Sequence, residues 1–371
     1  MTQVISLICF ILMIGLVIFI HELGHFLVAK HNGVGVTEFS IGMGPCIHSW
    51  VKKGTKYCLR ALPLGGYCRL LGQEELFSRD VDDPDADEVV SDAEHAFRSK
   101  PVFRRIAIIA AGPAFNFILA LILSVVVIAL VGYTPSTVAG VSEGFPAAEA
   151  GLQAGDEIVK LGSERMHFFK EVSLYLTLHE GEEVQVTYVR NGETRTADLK
   201  PVWDEEEGRY LIGITSAGGR KCKNAGEMFR YGFYDFGYNC GLVVKSLKIL
   251  FSGKGSLNDL SGPVGVASTV TEIVTEVEQD TKGEGFWVTA FWVLINIINF
   301  TAFISANLGI MNLLPIPALD GGKLLLLFVE AVRGKPLNRK TEAVITVIGV
   351  VLMLLLVAVV FFNDIRKVFF K

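Results

Sequence analysis

Four long apolar runs set the terms for any fold this chain can adopt. They extend from Val4 to Ile20, from about Ile106 to Val131, from about Phe286 to Ile310 and from about Val344 to Phe362. A helix rises about 1.5 Å per residue, so roughly 17–25 such residues cross the hydrocarbon core of a bilayer. The 371 residues are 51% hydrophobic and 20% charged, with a mean hydropathy of +0.44. Soluble proteins carry about 25% charged residues, so the balance tilts toward lipid. The sequence therefore reads as a polytopic α-helical membrane protein with four transmembrane helices. The first run has no basic flank and no small-residue cleavage site, and reads as an uncleaved anchor. A net charge of −5 offers no basic face to phosphates, which argues against a nucleic-acid partner. The six cysteines, Cys9, Cys46, Cys58, Cys68, Cys222 and Cys240, form no CxxC pair. They suit neither a disulfide-stapled secreted module nor a cysteine-ligated zinc module, and read as small buried hydrophobes.

Lysine and arginine near the ends of the runs orient the chain. None precedes the first run. The next loop carries Lys30, Lys52, Lys53, Lys56 and Arg60, then Arg98, Lys100, Arg104 and Arg105 at its far end. The loop between the third and fourth runs carries Lys323, Arg333, Lys335, Arg339 and Lys340. Both loops are expected in the cytoplasm, with the N-terminus and the segment from about Tyr133 to Gly285 outside. Arg366, Lys367 and Lys371, after the last run, pull the other way.

The first loop opens with β-like pieces. Val34 to Ile41 leads to a break at Gly42-Met43-Gly44-Pro45, and Tyr57 to Leu62 leads to a second at Pro63-Leu64-Gly65-Gly66-Tyr67, where glycine suits tight turns. The acidic stretch from Glu74 to Glu94 reads as a solvated loop. In the outside segment, Pro146-Ala147-Ala148-Glu149-Ala150-Gly151-Leu152-Gln153-Ala154-Gly155-Asp156 looks like a PDZ signature. Val184 to Val189 alternates like a strand, and Asn191-Gly192 marks a hairpin. Ala225 to Phe251 reads as an amphipathic helix on the outer membrane surface. The expected division is residues 1–132 (two spans and a cytoplasmic-side β-hairpin loop), 133–220 (one extracytoplasmic PDZ domain), 221–285 (an amphipathic membrane-surface linker) and 286–371 (two further spans).

Chemistry concentrates where the first run ends, at His21-Glu22-Leu23-Gly24-His25. His21 and His25, four residues apart, share one helix face and can hold a zinc ion. Glu22 lies about 100° round the helix, where it can serve as general base toward a water on that ion. Ionisable side chains at membrane depth cost several kcal/mol unless paired or ligating, and here there are three within five residues. Catalytic zinc needs a third protein ligand. Asp320, in Asn312-Leu313-Leu314-Pro315-Ile316-Pro317-Ala318-Leu319-Asp320-Gly321-Gly322, is the candidate. The first and third spans run the same way, so His25 and Asp320 fall at the same face. Pro315 and Pro317 break the helix there, which is tolerated at membrane depth where backbone lines a protein cavity. His31, His48, His95, His167 and His179 have no partner at ligand spacing. Asn116, in the second run, reads equally as a hydrogen-bonding group or a helix-packing residue.

These residues resemble a known family. HELGH, NLLPIPALDGG, Ala111-Gly112-Pro113-Ala114-Phe115-Asn116 and Ser261-Gly262-Pro263-Val264-Gly265, in this order over nearly the whole chain, look like the bacterial RIP metalloproteases, the RseP-type site-2 proteases. The resemblance implies Zn2+-dependent hydrolysis of single-span membrane proteins such as anti-sigma factors, inside the bacterial inner membrane. It implies that His21, His25 and Asp320 bind the metal, that Glu22 is the base, and that Asn307 and Asn312 contact substrate backbone. It likens Gly42-Met43-Gly44-Pro45 to a membrane-associated β-hairpin that holds substrate as an added strand. The well-known enterobacterial members carry two PDZ domains in tandem, and this chain has room for one. Two other readings stand beside it. A non-catalytic scaffold binding peptides through the PDZ domain leaves Glu22 without a task. A zinc transporter would want metal-binding side chains along several spans, and the second and fourth offer none.

Overall fold

A computed structural model describes residues 2–72, 93–253 and 262–369. In chain order come α1 (Thr2–His31), β1 (Val36–Lys52), β2 (Thr55–Leu70) and α2 (Val102–Val131). Then follow β3 (Val138–Val141), α3 (Pro146–Glu149), β4 (Glu157–Leu161), β5 (Glu164–Arg165), α4 (Phe169–Leu178), β6 (Val184–Arg190) and β7 (Glu193–Leu199). The rest is β8 (Val202–Asp204), β9 (Arg209–Leu211), β10 (Ile214–Ser216), α5 (Ala225–Phe251), α6 (Pro263–Asp280), α7 (Phe286–Leu313), α8 (Asp320–Arg333) and α9 (Arg339–Phe369). Among the described residues, four helices are long and apolar enough to cross a membrane: Thr2–His31, Val102–Val131, Phe286–Leu313 and Lys340–Asp364. The chain divides into two compact units, one formed by Met1–Leu123 with Asn239–Lys371, the other by Ser124–Tyr238.

In the first unit, one core gathers Ala29 of α1, Phe39, Cys68 and Leu70 of the hairpin, Ile108 and Ile109 of α2, and Leu324 and Leu327 of α8. A second joins Phe10 and Met13 of α1 to Val270 of α6 and Ile297 of α7. Over 221–285 an amphipathic surface linker is expected, and α6 is an addition to it. Threonines and glutamates interrupt α6, so it is too polar to stand out as a span. It nevertheless buries Val270, Val274 and Val277, one stripe at helical spacing. Asp364 of α9 accepts from the backbone N–H groups of Gly262 (3.2 Å) and Gly265 (2.9 Å) and so caps the N-terminus of α6. That contact gives Gly262-Pro263-Val264-Gly265 a structural task. Ser261, and the acidic stretch up to Asp92, lie outside the described residues.

β1 and β2 differ from the expected short pieces. Each is one long strand, and the chain turns at Lys53-Gly54, both with positive φ. The two breaks expected at glycines are bends within these strands. Residues 38–41 are paired twice, with 69–66 on one side and 56–59 on the other, while 48–52 pairs with 59–55. The hairpin is thus folded back on itself near 42–45 and 62–65. Gly42 has φ of +89°, and a Cβ there would come within 2.4 Å of the Leu62 carbonyl oxygen, so the bend requires glycine. Inside the fold, buried Glu38 accepts from Arg60 (2.8 Å) and from the Tyr67 hydroxyl (2.7 Å). Burial, and then the bond to Glu38, push the Tyr67 hydroxyl well above its usual range, so it stays a neutral donor. Cys46 and Cys58, read as separate small hydrophobes, are brought together across the fold, their Cα atoms 6.1 Å apart.

The second unit is β-rich. β5-β4-β6-β7 form an antiparallel sheet and β10 pairs with β3. Ile158, Leu161, Val172, Val186 and Ile212 fill its core. Fully buried Asp156, from the Gly-Asp turn of the signature, is clasped by Arg190 at 2.7 Å.

Candidate metal centre

His21 and His25 lie one turn apart on α1, both buried. Asp320 opens α8, and its Oδ2 is 3.1 Å from the Nε2 of each histidine. The two Nε2 atoms are 3.3 Å apart, and the three potential ligand atoms all lie within 4.8 Å of one another. Residues 295 positions apart in sequence thus meet.

The surrounding backbone explains the convergence. α7 ends at Leu313, Pro315 and Pro317 carry the chain around a turn, and α8 restarts at Asp320. Gly321 and Gly322 fit where a Cβ would strike the Leu314 carbonyl oxygen at 2.1 Å and the Ile316 carbonyl oxygen at 2.4 Å. Ala318 adopts φ of +82° just before the aspartate, a conformation uncommon for any residue but glycine. On the other side, Gly24 faces the Ala111 carbonyl so closely that a Cβ would approach it to 2.4 Å. This contact brings α2 against α1, as small residues do in membrane helices. Gly112 then lies flat against the imidazoles. A Cβ there would sit 2.3 Å from His25 Nε2 and 2.7 Å from His21 Cε1. Gly112 is thus the floor on which the two rings rest.

A cavity of about 310 Å³ opens on the three residues and is lined also by Glu22, Tyr67, Asn312 and Lys323. Asn312, expected to contact substrate backbone, is one of the lining residues. Asn307 does not line the cavity, and neither do Gly42, Met43 and Gly44, which lie at the bend of β1. Tyr67 and Lys323 were not anticipated. Lys323 had a signal, since i and i+3 share a helix face. Tyr67 had none, because its approach depends on how the hairpin folds back.

Two buried imidazoles and one carboxylate are a donor set that suits zinc, and three protein ligands leave a coordination position for reactants. The glycine floor beneath the rings fits the same purpose. α8 is held in register by a buried ion pair in which Arg105 of α2 donates from both amino groups to Glu330, the Nη1–Oε2 distance being 3.1 Å. Removing one partner of such a pair costs about 3–5 kcal/mol. Glu330→Ala is therefore expected to lower thermal stability by that amount and to weaken metal retention, as read by melting and zinc content in detergent. Unchanged values would show that α8 holds its place without the pair.

Such a cluster, beside a glutamate on the same cavity and framed by helices of spanning length, defines a metallopeptidase of multi-pass membrane type. The profile of peptidase family M50 matches residues 9–356, and the chain belongs to that family. It is 38% identical to a candidate zinc metalloprotease of Clostridium acetobutylicum, over 96% of each chain. It is 32% identical to the regulator of sigma-W protease RasP of Bacillus subtilis, over 98% of this chain and 99% of that one. The PDZ domain of the SdrC-like protein of Listeria monocytogenes aligns with 23% of this chain and 90% of its own, at 28% identity and a TM-score of 0.21.

Proposed function

We propose that this protein is a zinc-dependent intramembrane endopeptidase of the site-2 type. It cuts the membrane segments of single-span regulatory proteins, anti-sigma factors among them, in the bacterial cytoplasmic membrane. The observation that carries the reading is the meeting of His21, His25 and Asp320 on a cavity shared with Glu22. His21, His25 and Asp320 hold the metal. When bound, zinc polarises the scissile carbonyl and makes water easier to deprotonate. The Glu22 carboxylate takes the proton of the attacking water and passes it to the leaving amine nitrogen. The Asn312 amide, on the same cavity, orients substrate backbone. The Bacillus relative's name, regulator of sigma-W protease, supports regulatory proteins as the substrate class.

A helical substrate hides its carbonyls in i→i−4 bonds and must unwind to be cut, and unwound backbone in lipid is costly. The folded hairpin offsets that cost. Its bend at Gly42, Met43 and Gly44 adjoins the segment carrying Tyr67, with the Met43 side chain against Gly65, and backbone groups there receive substrate as an added strand. Met43, Ile47, Trp50, Val51, Leu59 and Leu62 are exposed on it, an apolar surface suited to lipid.

By the distribution of Lys and Arg, the metal centre faces the cytoplasm and the β-rich unit, read as a PDZ domain, lies outside. Its proposed work is exclusion of substrates that still carry bulky outer portions. Co-expression of a single-span substrate, full length or already trimmed outside, tests both parts. Mapping the cut by mass spectrometry should place it within the membrane segment of the trimmed form, and a cut outside that segment would overturn the intramembrane reading. Deleting Val138 to Ser216 should allow the untrimmed form to be cut. If the deletion instead slows cutting of the trimmed form, the domain captures a new C-terminus.

A further inference from the structure

A histidine that binds metal through Nε2 needs its hydrogen on Nδ1, and whatever accepts that hydrogen selects the ligating form of the ring. The two histidines here differ in this respect. Nδ1 of His25 lies 2.9 Å from the Ile108 carbonyl oxygen. A carbonyl only accepts, so His25 carries a hydrogen on Nδ1, which leaves Nε2 as its ligand atom. Nδ1 of His21 instead lies 3.2 Å from the side-chain amide nitrogen of Asn116. An amide presents either its nitrogen or its oxygen after a half-turn about its last bond, and only the oxygen can accept a hydrogen from Nδ1. Meanwhile the Asn116 Oδ1 is buried with no hydrogen-bond partner, an unusual condition for a polar atom in a protein interior.

One orientation of the amide serves both His21 and that oxygen. Rotating the Asn116 amide by half a turn puts its oxygen beside Nδ1, where it accepts the His21 hydrogen and leaves Nε2 with its lone pair. The residue is well placed for this. Its side chain is fully buried, and its own carbonyl accepts from Ser305 Oγ of α7 at 2.8 Å. That bond ties α2 to α7 at the level of the histidines. Gly112, one turn before Asn116, sets the distance between α2 and the two rings.

We propose that Asn116 is a positioning residue that selects the metal-binding form of His21. Its amide oxygen accepts the Nδ1 hydrogen, which leaves Nε2 with the lone pair that a metal needs, and a neutral amide adds no second anion beside Asp320. The inference rests on the metal assignment proposed above.

The test compares zinc dissociation constants, measured by chelator competition on the full-length protein in detergent, for wild type, Asn116→Leu, Asn116→Ala and Asn116→Asp. Helix content by circular dichroism selects the folded variants. Loss of such an outer partner weakens metal binding by about 10–100-fold, and that loss is expected for Asn116→Leu, or for Asn116→Ala if the leucine does not fit. Asn116→Asp, which can accept from Nδ1, should bind zinc more tightly than either apolar variant. A role in helix packing alone predicts the reverse order, since aspartate buries a charge. The proposal is overturned if a folded apolar variant binds zinc as tightly as wild type, or if Asn116→Asp binds no better than the apolar variants. Failure of the wild type to bind zinc would instead overturn the metal assignment.

Discussion

Glu22→Gln is expected to keep zinc at wild-type stoichiometry while lowering the cleavage rate by about 10²–10⁴-fold, the usual worth of a positioned general acid–base group. The substitution keeps size and hydrogen-bonding reach but removes the capacity to take a proton. Glu22 is one residue off the face that carries His21 and His25, and it lines the cavity without belonging to the cluster of potential ligand atoms. Elemental analysis beside a cleavage assay on a trimmed single-span substrate reads both quantities. Loss of zinc in this variant would make Glu22 a ligand. Undiminished cleavage would remove it from the chemistry and leave the family's peptidase activity here without a base.

Asp320→Ala should lose both zinc and cleavage. Alanine keeps the start of α8 helical, while the oxygen lying 3.1 Å from each imidazole is gone. The drop in zinc affinity should exceed the roughly 10–100-fold typical of outer partners, because a direct donor is removed. Full zinc occupancy in a folded Asp320→Ala protein would show that the metal is held elsewhere. The pair of variants separates two failures that a cleavage assay alone confounds, a missing metal and a missing base.

Much of this site could be read before any coordinates, for identifiable physical reasons. HELGH carries its own geometry, since spacing of four on a helix defines a face. Asp320 was reachable because two prolines mark a break and because the direction of the spans is a matter of counting. Other parts had no local signature. α6 falls below the hydropathy of a span, and only its contacts with α1 and α7 reveal its stripe. The double pairing of residues 38–41 is a long-range register that alternation cannot disclose. Asn116 read equally as packing and as hydrogen bonding, because its meaning lies in which nitrogen of which histidine it faces. What Gly112 and Gly24 do emerges only from the helix crossing, which shows what a methyl group would strike.

The metal centre is also discontinuous in time. Asp320 leaves the ribosome 295 residues after His25. At about 5–20 residues per second, that interval lasts roughly 15 to 60 s. Throughout it the nascent chain holds two imidazoles and a glutamate but lacks the third donor, and a complete β-rich unit must be made in between. The third candidate ligand comes only with the helix break that delivers it, so the cluster cannot assemble before that break is made.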